Sequence, residues 1–145
     1  MDPPKDTLLV MNGDIVTQVD FGSMHAYHKE HRAEMTVAVR AYQFQVPYGV
    51  IECNGSSVTA VREKPELKCF VNAGIYLIEP SALEHIPPNR HFDMTDLIHA
   101  LLLQGKPVVS FPIREYWLDI GEHEHYAQAQ QDMNSRIAGP PAEPL

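Results

Sequence analysis

This sequence predicts an α/β fold, a mixed and mostly parallel sheet flanked by helices, and three observations carry that expectation. Short aliphatic and β-branched runs alternate with segments of helical periodicity. The first apolar run, Leu8-Leu9-Val10-Met11, is continuous rather than alternating, as in strands covered on both faces. That run leads into Asn12-Gly13-Asp14, which sets a carboxylate at the carboxyl end of a strand, where open α/β sheets bind their ligands.

The elements follow in order. Residues 7–12 form the first strand. Over 20–33, Met24, Tyr27, His28 and His31 recur at helical spacing, and Asp20 or Ser23 is available as the N-cap. Strands are expected over 35–40, 49–52 and 58–62, with Asn54-Gly55 as the turn of a hairpin. A further strand covers 70–78. Gly74 interrupts it, and an interior glycine often marks a close approach of another group to the backbone. Pro80 opens a short helical turn over 80–85. Asp93 then caps a helix that lines Met94, Leu97, Ile98, Leu101 and Leu102 along one face, before Gly105 and Pro107 end it. Strands over 108–113 and 116–118 precede a polar closing helix over 122–133.

The chain has 145 residues, a length that suits one core. The expected division is one domain over residues 1–136 and a mobile, proline-rich tail over 137–145. A formal charge of −8 without any basic cluster argues against nucleic acid as a partner. The apolar runs fall far short of the roughly 20 residues that span a bilayer, so no membrane partner is expected. Cys53 and Cys69 form no C-x-x-C pair, and this usage fits a reducing, cytoplasmic location.

Asp14 and Asp119, the latter in Tyr116-Trp117-Leu118-Asp119-Ile120-Gly121, both stand at strand ends. Mg²⁺ takes one or two carboxylates together with phosphate oxygens and water, so this pair would suffice if the fold joined them. Either aspartate could instead start a turn or cap a helix. In Glu63-Lys64-Pro65 the proline favours an extended Lys64, which would aim Lys64 and Glu63 to opposite sides of a ribbon, toward a phosphate and a sugar hydroxyl. A solvated loop pair is the plainer account. Asn72 could meet a ligand or serve the sheet backbone. His25, His28 and His31 lack a cysteine or carboxylate at ligand spacing and are expected solvated or half-buried. His123-Glu124-His125 is expected on a polar helix surface.

Asn12-Gly13-Asp14, Pro47-Tyr48-Gly49, Glu63-Lys64-Pro65, Phe70-Val71-Asn72-Ala73-Gly74-Ile75-Tyr76, Phe92-Asp93-Met94 and the Trp117-Leu118-Asp119 segment occur in a particular order. In that order they resemble the sugar-1-phosphate nucleotidyltransferases, with a flavour similar to mannose-1-phosphate guanylyltransferases. The likeness spans residues 7–133 and is to the carboxyl-terminal part of that family's domain, a partial Rossmann-like fold without its first strands. The resemblance implies transfer of a nucleotidyl group from a nucleoside triphosphate, GTP by analogy, to a sugar 1-phosphate. It implies Mg²⁺ held by Asp14 and Asp119, and Lys64 against the sugar phosphate. It also implies Tyr48, Gly49, Glu63, Asn72 and Gly74 around the sugar.

The pattern departs from the family in one respect. None of the eight glycines lies two residues from another, so the chain carries no G-x-G phosphate loop. The expectation is therefore weak or absent turnover by this chain alone, with a non-catalytic sugar-nucleotide-binding or regulatory subunit as the alternative. An uncovered edge on the first strand further predicts a homo-oligomer. A phosphatase reading fails because Asp14-Ile15-Val16 lacks a D-x-D pair.

Overall fold

The computed structural model of the chain describes residues 4–121 and residue 131. The expected closing helix over 122–133 falls outside these except for residue 131, and the His123-Glu124-His125 run and the tail fall outside them altogether. In order, the elements are β1 (Leu8–Met11), β2 (Ile15–Thr17), α1 (Phe21–Glu30), β3 (Met35–Gln45), β4 (Val50–Asn54) and β5 (Ser57–Arg62). These are followed by β6 (Glu66–Ile78), a 3-10 turn (Pro80–His85), α2 (Met94–Leu103), β7 (Val108–Pro112) and β8 (Trp117–Asp119).

The main sheet has the order β1-β6-β3-β7. It is mixed, as expected, but its parallel character is smaller than the sequence suggests. β1, β3 and β7 run in one direction, yet β6 runs against them between β1 and β3, so only the β3–β7 ladder is parallel. The cause is the β4–β5 hairpin, which turns the chain back on itself and returns it as β6 alongside β3. Gly55 takes the left-handed conformation in that hairpin's turn, at φ 60°, which a side-chain-bearing residue adopts only at a cost.

Each face of the sheet carries its own core. Ile15, Val19, Met24, Ala38, Ala73, Ile75, Leu77 and Ile113 pack beneath α1 and the β2–β8 ribbon. On the other face Met35, Val37, Val39, Tyr76 and Ile78 meet Ala82, Leu97 and Leu101 of the 3-10 turn and α2. Leu97 and Leu101 lie four apart, so one stripe of α2 reaches the sheet. The helix ends match the sequence. Asp20 accepts from the Ser23 amide at 3.0 Å, and Asp96 accepts from the Asp93 amide at 3.0 Å.

β1 is not covered on both faces. Leu8 and Val10 are half-buried while Leu9 and Met11 are exposed, because β1 stands at the sheet edge with β6 as its one ladder partner among the described residues. β3 and β6 are also longer than the apolar runs suggest, extending to Gln45 and starting at Glu66. Over 42–45 and 66–69 polar residues alternate with apolar ones, so the ladder extends past the continuous apolar runs by which the strands were bounded.

His28 is fully buried, not solvated. Its Nδ1 lies 2.7 Å from Thr36 Oγ1 and its Nε2 lies 2.9 Å from Glu79 Oε1. Lys29 Nζ at 2.5 Å and Thr7 Oγ1 at 2.7 Å donate to the same carboxylate oxygen. Partners contributed by β1, β3 and β6 neighbours thus repay the desolvation of a ring that looked surface-bound in sequence. Burial pushes the Glu79 carboxyl up, but the bonds from Lys29, Thr7 and His28 outweigh it and hold the group down at about 2.

Candidate functional site

The short β2–β8 ribbon brings the two strand-end aspartates together. Ile15 pairs with Asp119, and the Ile120 amide donates to the Asp14 carbonyl at 2.8 Å. Gly121 follows directly, its amide bound to Asp119 Oδ1 at 2.9 Å. A methyl group placed on Gly121 would stand 3.1 Å from Asp119 Oδ1 and 3.3 Å from Asp14 Oδ2. The two carboxylate oxygens are therefore separated by no more than the sum of those distances. Asp14 is exposed and Asp119 half-buried, so both oxygens face accessible space. Two carboxylates are hard oxygen donors of the kind that Mg²⁺ takes in small number from a protein. No cluster of three or more His, Cys, Asp or Glu suited to a metal occurs among the described residues.

Behind this pair lies a bulge in β6. Val37 pairs with Tyr76 and Val39 with Asn72, so β6 spends two extra residues over that interval. Gly74 adopts φ 69° there, and an added Cβ would fall 2.8 Å from Asn12 Nδ2. The close approach marked by this glycine is thus to the side chain of Asn12, and the backbone N–H of Asn12 donates to the Gly74 carbonyl at 2.9 Å. The Trp117 indole donates to the Ala73 carbonyl at 2.8 Å, fastening β8 to the same bulge. Asn72 serves the protein as well. Its Oδ1 accepts from the Gly74 amide at 3.0 Å, and its Nδ2 donates to the Tyr76 hydroxyl at 2.9 Å.

A second group sits around the hairpin. An added Cβ on Gly49 would lie 3.1 Å from Glu63 Oε2, so the Tyr48-Gly49 turn and the Glu63 carboxylate adjoin. Tyr48 is 74% exposed. Lys64 is exposed and has φ 42°, not the extended conformation expected before proline. Glu63-Lys64-Pro65 joins the β4–β5 ladder to the β3–β6 ladder on the returning arm, with Arg62 still paired to Val50 and Glu66 already paired to Gln45, and Lys64 takes the left-handed conformation at that junction against the local preference. Among the described residues no hydrogen bond or ion pair ties this group to the aspartate pair. Asn12, Trp117 and Arg40 were not singled out as site residues in the sequence. The sole advance signal was that Asn12 and Trp117 lie inside the motifs that carry Asp14 and Asp119.

The chain is thus a mixed α/β protein that brings two acidic residues together where β1 leads into β2 and β8 ends. The nucleotidyl transferase family model matches residues 2–136, and the chain belongs to that family. It is 30% identical over 81% of its length to a mannose-1-phosphate guanyltransferase from Schizosaccharomyces pombe, covering 33% of that protein. It is 31% identical over 90% of its length to a UTP–glucose-1-phosphate uridylyltransferase from Synechocystis sp., covering 36% of it. A Bacillus anthracis structure assigned as a glucose-1-phosphate thymidylyltransferase, solved with sucrose, superimposes with a TM-score of 0.62. It is 18% identical, over 89% of this chain and 55% of that one. The chain thus spans about a third of the curated relatives it matches. No helix among the described residues is long and apolar enough to cross a membrane.

Proposed function

We propose that this chain forms the sugar-phosphate and metal side of a nucleotidyltransferase that joins a nucleoside triphosphate to a sugar 1-phosphate and releases pyrophosphate. The observation that supports this most is the approach of Asp14 and Asp119 on either side of Gly121. In this reading the two carboxylates hold Mg²⁺, which when bound neutralises charge on the reacting phosphates. Lys64 contributes a point charge to the sugar phosphate. Glu63, with the backbone of Tyr48 and Gly49, receives sugar hydroxyls. Asn72 and Gly74 hold the wall behind them. GTP and mannose 1-phosphate are the proposed substrates, although the relatives are named for guanylyl and uridylyl transfer alike. The domain occupies residues 1–136, the setting is cytoplasmic, and the exposed edge of β1 pairs two copies through Leu9 and Met11.

Pyrophosphate release by the chain with a family glycine-rich phosphate-loop segment joined ahead of it, across the four nucleoside triphosphates and a panel of hexose and hexosamine 1-phosphates, tests the reading. Asp14→Asn and Asp119→Asn should each lower turnover by about a hundredfold or more. Turnover that survives both substitutions would sink the metal assignment. The alternative reading is a sugar-nucleotide-binding or regulatory subunit. Saturable sugar-nucleotide binding without turnover would select it.

A further inference from the structure

Asp119 rides on a three-residue strand that belongs to a two-stranded ribbon separate from the main sheet. Ladder hydrogen bonds alone therefore do not fix its position against the core. Trp117, two residues earlier, provides one anchor through its bond to the Ala73 carbonyl. Arg40, which follows the bulge on β3, provides another. Its Cζ lies 5.7 Å from the centre of the Trp117 ring, and its Nη1 donates to the Glu115 carbonyl at 3.4 Å. Arg40 is half-buried and forms no ion pair among the described residues, so its charge is spent on the indole face and the β8 approach. A guanidinium suits both tasks, being planar enough to stack and able to donate in its own plane.

We infer that Arg40 is a positioning residue for the acidic pair: by clamping Trp117 onto the β6 bulge it holds Asp119 within bridging distance of Asp14. This rests on the metal reading of those two aspartates. Losing the clamp would leave both carboxylates in place chemically but allow the short ribbon to sample wider separations, so the consequence is weaker cation binding with the fold retained.

Mn²⁺ supplies the test, because the electron paramagnetic resonance signal of the free ion gives affinity without any turnover. Trp117 is the one tryptophan in the chain, so its emission reports indole packing in the same sample. Arg40→Met, which keeps the aliphatic stem, should weaken Mn²⁺ binding about threefold to tenfold and red-shift the Trp117 emission. Arg40→Lys, which keeps a cation over the ring, should retain affinity closer to that of the unsubstituted protein. Far-ultraviolet circular dichroism should be unchanged in both. Should Asp14→Asn and Asp119→Asn lose Mn²⁺ while Arg40→Met binds it normally, the positioning role is wrong and the metal reading stands. Equal weakening in the Lys and Met variants would also overturn the role. If the unsubstituted protein binds no Mn²⁺, both fail together.

Discussion

Two halves of the same antiparallel ladder, β3 with β6, meet different surroundings on either side of the bulge. Residues 35–39 of β3 and 73–78 of β6 are buried between α1 and α2, whereas 41–45 and 66–70 are exposed. The inner half is apolar on both faces save for Thr36, which meets His28. The outer half still presents Tyr42, Phe44, Leu67 and Phe70 to solvent. Backbone pairing continues unbroken along the outer stretch, so the difference lies in burial and not in hydrogen bonding. Stability is therefore concentrated in one half, while the other is a thin ribbon that carries the Glu63-Lys64-Pro65 turn at its far end. Separating the two lets recognition residues vary without endangering the core.

Substitutions should reveal this contrast in a graded series. Leu97→Ala, which empties a fully buried site against the inner half, should cost about 3 kcal/mol in denaturant unfolding. A cost under about 1 kcal/mol would mean that α2 is not a main support of the ladder. Gly74→Ala, at the junction, combines a positive φ with a Cβ 2.8 Å from Asn12 Nδ2, and should cost about 2 kcal/mol. Asn12→Gly should recover part of that loss if the clash is the cause. Glu79 offers a pH test. Its folded-state carboxyl is held at about 2 against an ordinary 4.5, so its contribution is full above about pH 4.5 and is lost as pH falls through 2. Glu79→Gln should flatten the acid limb of the stability profile by about 2 kcal/mol, with little effect on the outer half. Smallest of all, Phe70→Ser, 65% exposed on the outer ribbon, should change stability by under about 0.5 kcal/mol. A larger loss would indicate that the ribbon packs against another surface in solution.

The parts visible in the sequence were those with local causes. Asp20, Asp93 and Gly105 mark helix ends because capping involves residues only a few positions apart. Asp14 and Asp119 were readable as strand-end carboxylates. Their adjacency was not, since it depends on β2, whose three residues acquire strand structure only by pairing with β8 about a hundred positions later. His28 was misread for the same reason. Its partners Thr36 and Glu79 lie on other elements, and no helical pattern announces them. The conformation of Lys64 was missed because a preference attached to the following proline yielded to the junction between two ladders that pair distant residues. Residue types with ligand-like chemistry could be picked out early, but Asn72 shows how such a side chain can be engaged by its own backbone neighbourhood.

The reversed course of β6 also has a consequence for biosynthesis. Leu8 pairs with Ile78, so β1 leaves the ribosome long before its ladder partner exists. At roughly 5–20 residues per second, the wait is on the order of several seconds. Throughout it, Leu8-Leu9-Val10-Met11 is a nascent apolar segment without its β6 partner. Slowing translation over residues 12–78 should lengthen that exposure and raise the insoluble fraction.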